Sequence, residues 1–400
     1  MHYPKIYLCI DNCFASKRWT RPVDWAAIIK ELGIHFVEAS ADTELDPLYM
    51  GKSYLDKWIR DVKAAEKKIG IKVVNLYSGH GSYMTLGLTH TSAAVRRRMK
   101  EQWLKPIINV ASEMGAGIGF FAHAFPDYAL QNKKIYKDFK NILFENLIEV
   151  NNYSAKIGCG KIGLEQMYTP HHYPWRLKDL YELLFTVTSK SSRGFYFTED
   201  AGHHHTMYAK PENLYEKIEN YLTTGNIDGL WLGNNQTYDL IRILKSNNCS
   251  PKIMKMIKHN IDTNSHLFSE PADSNCYEWL RQFAAYSPII HLQQTNGTTS
   301  AHWPFTSSYN CRGIIEPLNI FKAIKYCYDR PIDKRMPERV SDIYMTLEIF
   351  TATASINYET LKNLKESVHY WRTYITQDGM SLDEIIKEGK NKNGQITKKI

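Results

Sequence analysis

The chain has 400 residues, of which 43% are hydrophobic and 12% aromatic. This composition excludes a disordered or fibrous protein, because a chain of this length with so many apolar residues can bury a large core. The formal net charge of +8 comes from 50 basic and 42 acidic residues. Such a mild balance is compatible with an anionic partner, but more often it only aids solubility.

The seven cysteines form an odd set without a CxxC pair. This pattern argues against a disulfide framework and a structural zinc ribbon, and it fits a reducing compartment. The N-terminus has no cationic segment followed by an apolar one, so we expect no secretory signal. No apolar run approaches the length of about 18 residues that a membrane helix needs. The sequence therefore predicts a cytoplasmic protein without a membrane partner.

Short β-like segments alternate with longer helical segments along the chain. In order, the predicted strands are 5–10, 35–38, 71–77, 117–122, one ending at Glu165, one beginning at Phe195, one ending at His291 and one ending at Glu348. The predicted helices are 22–33, 53–70, 91–115, 135–157, 177–188, 317–328 and 360–376. Alternation of this kind is typical of βα units around a parallel sheet.

Eight such units fit an α/β protein with a (β/α)8 TIM barrel better than one with a doubly wound sheet, because no GxGxxG segment follows the first strand. We predict a barrel domain over residues 1–376. Within it, residues 225–282 are expected to form an insertion between helix 6 and strand 7, as a cap or an oligomer contact. Residues 377–400 are expected to form a loose, polar C-terminal tail.

Four strand ends carry side chains that commonly bind divalent cations: Glu165, Asp200, His291 and Glu348. In a barrel the C-terminal ends of the strands open into one mouth, so these four could converge on one ion. Carboxylate and imidazole ligands without thiolate favour Mn²⁺, Mg²⁺, Co²⁺ or Zn²⁺. Three carboxylates around one divalent cation leave about one negative charge, which suits polarisation of hydroxyl and carbonyl oxygens.

Further polar side chains of the predicted mouth are candidates for substrate binding: Glu38, His80, His123, His203 and His302. Three basic residues on the predicted loops, Lys17, Arg18 and Arg312, could hold a phosphate. A solvated surface role is equally open for each of these three.

Leu164-Glu165, Asp200-Ala-Gly-His203, Ile290-His291-Leu-Gln-Gln-Thr and Leu347-Glu348 form a recurrent pattern around the strand ends. Together they resemble the xylose-isomerase-like barrel superfamily of sugar isomerases and epimerases. The stretch from His291 to Thr306 is the most specific part, and it is similar to the branch that acts on erythrulose phosphates and other short ketoses. The resemblance covers residues 5–375.

The resemblance implies that Glu165, Asp200, His291 and Glu348 hold the metal ion. It also implies that the two glutamates flank the substrate carbon on opposite faces and transfer its proton through an enediolate, with His203 binding the substrate oxygen beside the metal. A divalent cation would stabilise the enediolate oxygen. An epimerase needs an acid/base group on each face, whereas an aldose–ketose isomerase could work with one.

Two other activities stay open. Zinc-dependent apurinic endonucleases of the same superfamily have extra histidines that His80, His123 and His302 would match, but this chain has Ser300 where their pattern has an Asp. The loops also lack the basic, intercalating stretches of a DNA-kinking enzyme, so we expect no nucleic-acid partner. A sugar or cyclitol dehydratase would begin with the same proton abstraction. The expected partner is a sugar or sugar phosphate, and the resemblance suggests a homodimer.

Overall fold

The computed structural model describes residues 3–79, 85–204, 207–225, 230–246, 250–352 and 354–396, with side chains up to residue 389. Its strands are β1 (Lys5–Asp11), β2 (Phe36–Ser40), β3 (Lys72–Ser78), β4 (Gly117–Phe120), β5 (Ile162–Glu165), β6 (Tyr196–Asp200), β7 (Ile289–Leu292), β8 (Asp342–Leu347) and β9 (Met380–Ser381). β1 to β8 are parallel neighbours in chain order, and β1 pairs with both β8 and β2. The sheet is therefore a closed barrel.

Helices follow every barrel strand. They are α1 (Pro22–Glu31), α2 (Ala41–Glu44), α3 (Lys52–Ile69), α4 (Ala93–Met99), α5 (Lys105–Met114), α6 (Asp127–Leu130), α7 (Lys133–Lys156), α8 (Leu177–Lys190), α9 (Leu214–Thr224), α10 (Asn235–Ser246), α11 (Pro251–Thr263), α12 (Cys276–Phe283), α13 (Ser307–Asn310), α14 (Pro317–Asp329), α15 (Asn357–Arg372) and α16 (Leu382–Ile396). A π-helical turn over Lys100–Leu104 joins α4 to α5. The predicted (β/α)8 barrel is confirmed.

Helix α3 illustrates how the sequence forms this outer layer. Its buried residues recur at intervals of three or four positions, as expected of a helix with one apolar face: Leu55, Trp58, Ile59, Val62 and Ala65. The helix ends at Gly70, whose φ of 79° is the left-handed conformation that glycine adopts without a steric penalty. The next strand, β3, then begins at Lys72.

The segment between β6 and β7 contains α9, α10, α11 and α12. α12 packs against α14 and so belongs to the outer layer of the barrel, whereas α10 and α11 pack on each other. The additional residues of the predicted insertion therefore lie before α12, on the side where β6 ends. They are tied to the start of α8, because Arg176 donates to the Ser265 carbonyl and Asp273 accepts from the Leu177 N–H. Their role as a cap or an oligomer contact stays a prediction.

The residues after 376 differ from the expected loose tail. β9 pairs antiparallel with the first residues of β1, and α16 packs against α14. Met380, Leu382 and Ile385 are at most 3% exposed. Because these apolar residues recur every two or three positions, the segment has a face to bury even though lysine and asparagine dominate its sequence after residue 386.

A membrane crossing would need a long apolar helix, and no helix within the described ranges meets both requirements.

Candidate functional site

Six strand-end side chains meet at the mouth of the barrel, and none is more than 3% exposed: Asp11, Glu38, Glu165, Asp200, His291 and Glu348. They lie together because the C-terminal ends of parallel barrel strands open on the same face. Buried carboxylates are costly unless hydrogen bonds or positive charge accompany them. The contacts of each group therefore indicate what the site is built to hold.

His291 is at the centre of this group. Its Nδ1 atom lies 3.3 Å from Glu165 Oε1 and 3.5 Å from Glu348 Oε2, and its Nε2 atom lies 2.8 Å from Glu38 Oε2. Burial by itself lowers the pKa of the imidazole, but Glu348 and Glu38 outweigh it and raise the pKa well above its ordinary value. A metal-binding histidine commonly has one ring nitrogen bonded to a carboxylate and the other directed at the metal site. His291 has this arrangement, with Nε2 on Glu38 and Nδ1 facing Glu165 and Glu348.

Asp200 is held as an ionised carboxylate. Gln293 Nε2 donates to both of its oxygens at 2.9 Å, and the Gly202 N–H donates to Oδ1 at 2.7 Å. His203 Nε2 lies 3.3 Å from Oδ2. Burial raises the pKa of this carboxyl, but the neighbouring histidines, first of all His203, outweigh that effect and lower the pKa below its ordinary value.

Gln166, the residue after Glu165, joins β5 to β6. Its Oε1 accepts the Asp200 N–H at 2.9 Å, and its Nε2 donates to the Asp200 carbonyl at 3.0 Å. The backbone carbonyl of Gln166 lies 3.0 Å from His203 Nδ1. Because a carbonyl only accepts, His203 donates its Nδ1 hydrogen to Gln166, and Nε2 is the nitrogen that faces Asp200.

Glu348 lies between two histidines. Its Oε2 atom is 3.5 Å from His291 Nδ1 and 3.4 Å from His302 Nδ1, yet within the described part of the chain it has no hydrogen-bond partner. Burial raises the pKa of Glu348 above its ordinary value, and the two histidines offset this only in part. His302 has a φ of 45° and stacks on Phe350 with ring centroids 4.0 Å apart.

These residues fit a divalent cation. One ligand atom each from Glu165, Asp200 and His291 lie within 4.8 Å of one another, and the same holds for Asp200, His203 and His302. The described residues that line the adjoining cavity include no lysine or arginine. A metal ion would therefore compensate the clustered carboxylates, including the unpartnered oxygen of Glu348. Carboxylate and imidazole donors suit Mn²⁺, Co²⁺, Mg²⁺ or Zn²⁺.

A cavity of about 430 Å³ opens beside this group, and Glu165, His203, His302 and Glu348 contribute to its wall. Tyr77, at the end of β3, also lines it and donates its hydroxyl hydrogen to Glu165 Oε2. Hydroxyl side chains complete much of the remaining wall: Ser16, Ser40, Thr43, Ser300 and Thr351. The arrangement can bind a small polyhydroxylated molecule against two carboxylates.

The structure places three predicted substrate-binding residues away from this wall. Glu38 is fully buried and contacts His291 and Asn75, a position that suits orienting the histidine. His123, with a φ of 67°, packs against Phe121, and Phe121 is the residue of this pair that lines the cavity. The exposed Arg312 stacks its guanidinium group 4.6 Å from the Trp303 ring. His80 lies outside the described residues.

The two other predicted basic residues lie near the mouth. Lys17 is exposed, whereas Arg18 donates to Thr351 Oγ1 at 2.9 Å and to the Ser355 carbonyl at 2.8 Å. Arg18 therefore connects the loops after β1 and β8. Neither of the two is among the described residues that line the cavity.

Sequence reasoning missed four residues of the site: Asp11, Tyr77, Gln166 and Gln293. Asp11 follows the apolar run Leu8-Cys9-Ile10 and so has the same signal as the predicted ligands. Tyr77 carries a weaker signal, since aromatic residues are common throughout strands. The two glutamines act through contacts between neighbouring strands, which spacing along the chain does not reveal.

Comparison with known proteins places the chain in a family. The family model described as xylose isomerase-like TIM barrel matches residues 26–327. The chain belongs to the xylose isomerase-like TIM barrel family. Among curated proteins, D-erythrulose 1-phosphate 3-epimerase of Brucella abortus (strain 2308) is 28% identical over 116 residues, which are 29% of this chain and 34% of that protein. The match thus spans about a third of the length of that relative.

Solved structures show the same family fold. A protein from Rhodospirillum rubrum ATCC 11170 is 17% identical, with a TM-score of 0.62 over 91% of this chain and 97% of that chain. L-Ribulose 3-epimerase is 12% identical, with a TM-score of 0.55 over 98% of each chain. D-Allulose 3-epimerase from Methylomonas sp., in complex with D-allulose, is 11% identical, with a TM-score of 0.52 over 93% of this chain and 98% of that chain. At these identities the likeness is one of fold.

Proposed function

We propose that this protein is a divalent-metal-dependent epimerase or isomerase of a short-chain ketose or ketose phosphate. The observation that carries the proposal is the relation between Glu165 and Glu348. Both line the cavity, and both lie within 3.5 Å of the same nitrogen of His291. They come from β5 and from the end of β8, which are not neighbours in the barrel. A substrate carbon between them would face one carboxyl group on each side.

The two carboxyl groups would act as acid and base on the carbon next to the substrate carbonyl. Glu348 lies between His291 and His302 at the cavity wall, where its carboxyl group can accept or return a proton. Glu165 is held by the Tyr77 hydroxyl and by His291, so its carboxylate is directed at the same space. In epimerisation one residue removes the proton from one face and the other returns a proton to the opposite face; the roles reverse in the reverse reaction.

Glu165, Asp200, His291 and Glu348 would hold the metal ion. When bound, a divalent ion supplies Lewis-acid stabilisation of the charge that develops on the substrate oxygens. His203 and His302 lie on the Asp200 side of the cavity and would bind substrate hydroxyl groups. The serine and threonine side chains of the wall would do the same for the remaining hydroxyls, which supports a polyhydroxylated substrate.

A second candidate is a zinc-dependent phosphodiesterase of the apurinic endonuclease type. The second possible ligand group, Asp200, His203 and His302, favours it, because such an enzyme needs more than one ion. Ser300 counts against it. Its hydroxyl lies 3.2 Å from His302 Nε2, where a carboxylate would be needed to bind a further cation. We therefore rank this activity second.

Metal analysis and a substrate panel test the proposal together. We expect the purified protein to contain about one Mn²⁺, Co²⁺ or Zn²⁺ ion per chain and to epimerise or isomerise a member of a panel of tetruloses, pentuloses and their phosphates. Glu165→Gln should lose this activity. Glu145→Gln, an exposed position on α7, should keep it. Several zinc ions per chain, no sugar product and nicking of abasic DNA would instead support the phosphodiesterase.

A further inference from the structure

Gln293 connects two parts of the proposed metal site. It lies two residues after His291, and its side chain is fully buried. Its Nε2 atom donates to both oxygens of Asp200 at 2.9 Å, and its Oε1 atom accepts the backbone N–H of His302 at 2.6 Å. One side chain thus contacts a proposed ligand on β6 and the loop that brings His302 to the cavity.

The chemistry of its partners fixes the orientation of this amide. An ionised carboxylate only accepts hydrogen bonds, so the nitrogen of Gln293 must face Asp200. A backbone N–H only donates, so the oxygen must face His302. With both ends satisfied, the amide cannot rotate without leaving a buried group unpaired, at a cost of about 1–3 kcal/mol.

The backbone makes room for this side chain at Gly202. A Cβ atom at that position would lie 2.2 Å from Gln293 Cδ, which is closer than two non-bonded carbon atoms can approach. The Gly202 N–H also donates to Asp200. The close approach therefore brings the amide, the carboxylate and the turn after β6 into one rigid arrangement.

We propose that Gln293 is a positioning residue that orients Asp200 for metal binding and holds the His302 loop at the cavity. This inference rests on the metal site of the proposed function. By donating to both carboxylate oxygens, Gln293 fixes the orientation in which Asp200 lies beside Glu165 and His291. Its bond to His302 supports a residue with a φ of 45°, which is strained for any residue other than glycine. Partners that orient metal ligands in this way typically contribute tenfold to a hundredfold in metal affinity.

The neighbouring Gln294 provides a matched control. It is 1% exposed, so both glutamines lose buried hydrogen bonds when they are replaced. The Gln294 side chain donates to Asn310 Oδ1 and to the Ile315 carbonyl, and it accepts the Ile315 N–H. These contacts stabilise the loop after β7 without bonding to Asp200.

The test is calorimetric titration of the metal-free 400-residue protein with Mn²⁺ alone, for the wild type, Gln293→Met and Gln294→Met. Circular dichroism of each sample reports whether the protein is folded. We expect the Mn²⁺ dissociation constant to rise at least tenfold in Gln293→Met and to stay within about twofold in Gln294→Met. Equal dissociation constants for the wild type and folded Gln293→Met, or equal losses in both variants, would overturn the role of Gln293 alone.

A second variant keeps the inference testable if Gln293→Met does not fold. Gly202→Ala leaves every hydrogen-bonding group in place but forces the Gln293 amide to move. It should also weaken Mn²⁺ binding, and an unchanged dissociation constant would contradict the inference. If the wild type itself binds no Mn²⁺, Co²⁺ or Zn²⁺, the proposed metal site fails, and the role of Gln293 fails with it.

Discussion

His291 and Glu38 form a fully buried pair, with Nε2 and Oε2 2.8 Å apart. Asn75 donates to the other oxygen of Glu38 at 2.6 Å, so both carboxylate oxygens are occupied. Glu38 is fully buried and does not line the cavity, so it acts on the histidine and not on a substrate. A carboxylate behind a metal-binding imidazole holds the ring in place and increases its basicity.

Removing this charge should weaken the proposed metal site. In Glu38→Gln we expect the Mn²⁺ dissociation constant to rise by about tenfold, because the amide is a poorer partner for the imidazole N–H. Calorimetric titration of the metal-free protein measures it. Glu145→Gln, an exposed glutamate on α7, is the control. Unchanged affinity in Glu38→Gln would mean that Glu38 does not orient His291.

Glu44 predicts a pH dependence of stability. Its carboxyl accepts hydrogen bonds from Asn12 and Trp58, yet burial raises its pKa from 4.5 to about 8. The folded state therefore holds a proton that the unfolded state releases above about pH 4.5. This contribution to stability is complete below pH 4.5 and is lost as the pH rises to about 8, at roughly 1.4 kcal/mol per pH unit.

Urea unfolding of the wild type and Glu44→Gln between pH 5 and 8 measures this effect. The difference in the free energy of unfolding between the two proteins should change steadily in favour of the glutamine variant as the pH rises. Glu145→Gln should show no such trend. A difference that stays constant across this range would show that Glu44 ionises normally in the folded protein.

Arg176 and Asp179 form a bidentate pair with both contacts at 2.7 Å, and their side chains are 4% and 6% exposed. Replacing Arg176 by methionine would leave Asp179 buried without its counter-charge. We expect the free energy of unfolding to fall by about 3 kcal/mol in urea titrations. Arg21 and Asp24 have the same spacing and geometry at the surface, so Arg21→Met should cause no measurable loss. Equal losses in the free energy of unfolding for Arg176→Met and Arg21→Met would contradict a stabilising role of the buried pair.

Phe350 predicts an effect on substrate binding. It is 53% exposed, lines the cavity and stacks on His302 with an interplanar angle of 20°. In Phe350→Ala we expect KM for the substrate found in the panel to rise roughly fivefold, because His302 loses its support and the cavity loses an apolar face. Thermal unfolding should change little. Tyr358→Ala, at the start of α15, is the exposed aromatic control, and an equal rise in KM there would contradict a specific role of Phe350.

The barrel could be predicted because each of its elements has its own local signal. Buried strands that end at or within one residue of Glu165, Asp200, His291 and Glu348 place all four at one mouth once the strands are parallel. His123 could not be placed in this way. It follows β4 with a φ of 67° and packs against Phe121, which lines the cavity where His123 does not.

The remaining differences arise from contacts between elements. Tyr77 and Gln293 join the site through partners on other strands, Glu165 and Asp200, and no local pattern encodes such pairs. In the same way, α16 is stabilised by packing against α14, whereas its own sequence after residue 386 resembles a solvated tail. In α16, tertiary packing therefore outweighs local composition.

Incorporation of solvent deuterium into the substrate shows whether Glu165 and Glu348 transfer a proton at the substrate carbon. The Mn²⁺-loaded protein would be incubated in D₂O with each ketose and ketose phosphate of the panel, and the products examined by NMR. We expect deuterium at the carbon next to the carbonyl with the wild type, and none there with Glu165→Gln or Glu348→Gln. A product formed without deuterium, or the absence of exchange with every sugar, would contradict proton transfer by these two glutamates.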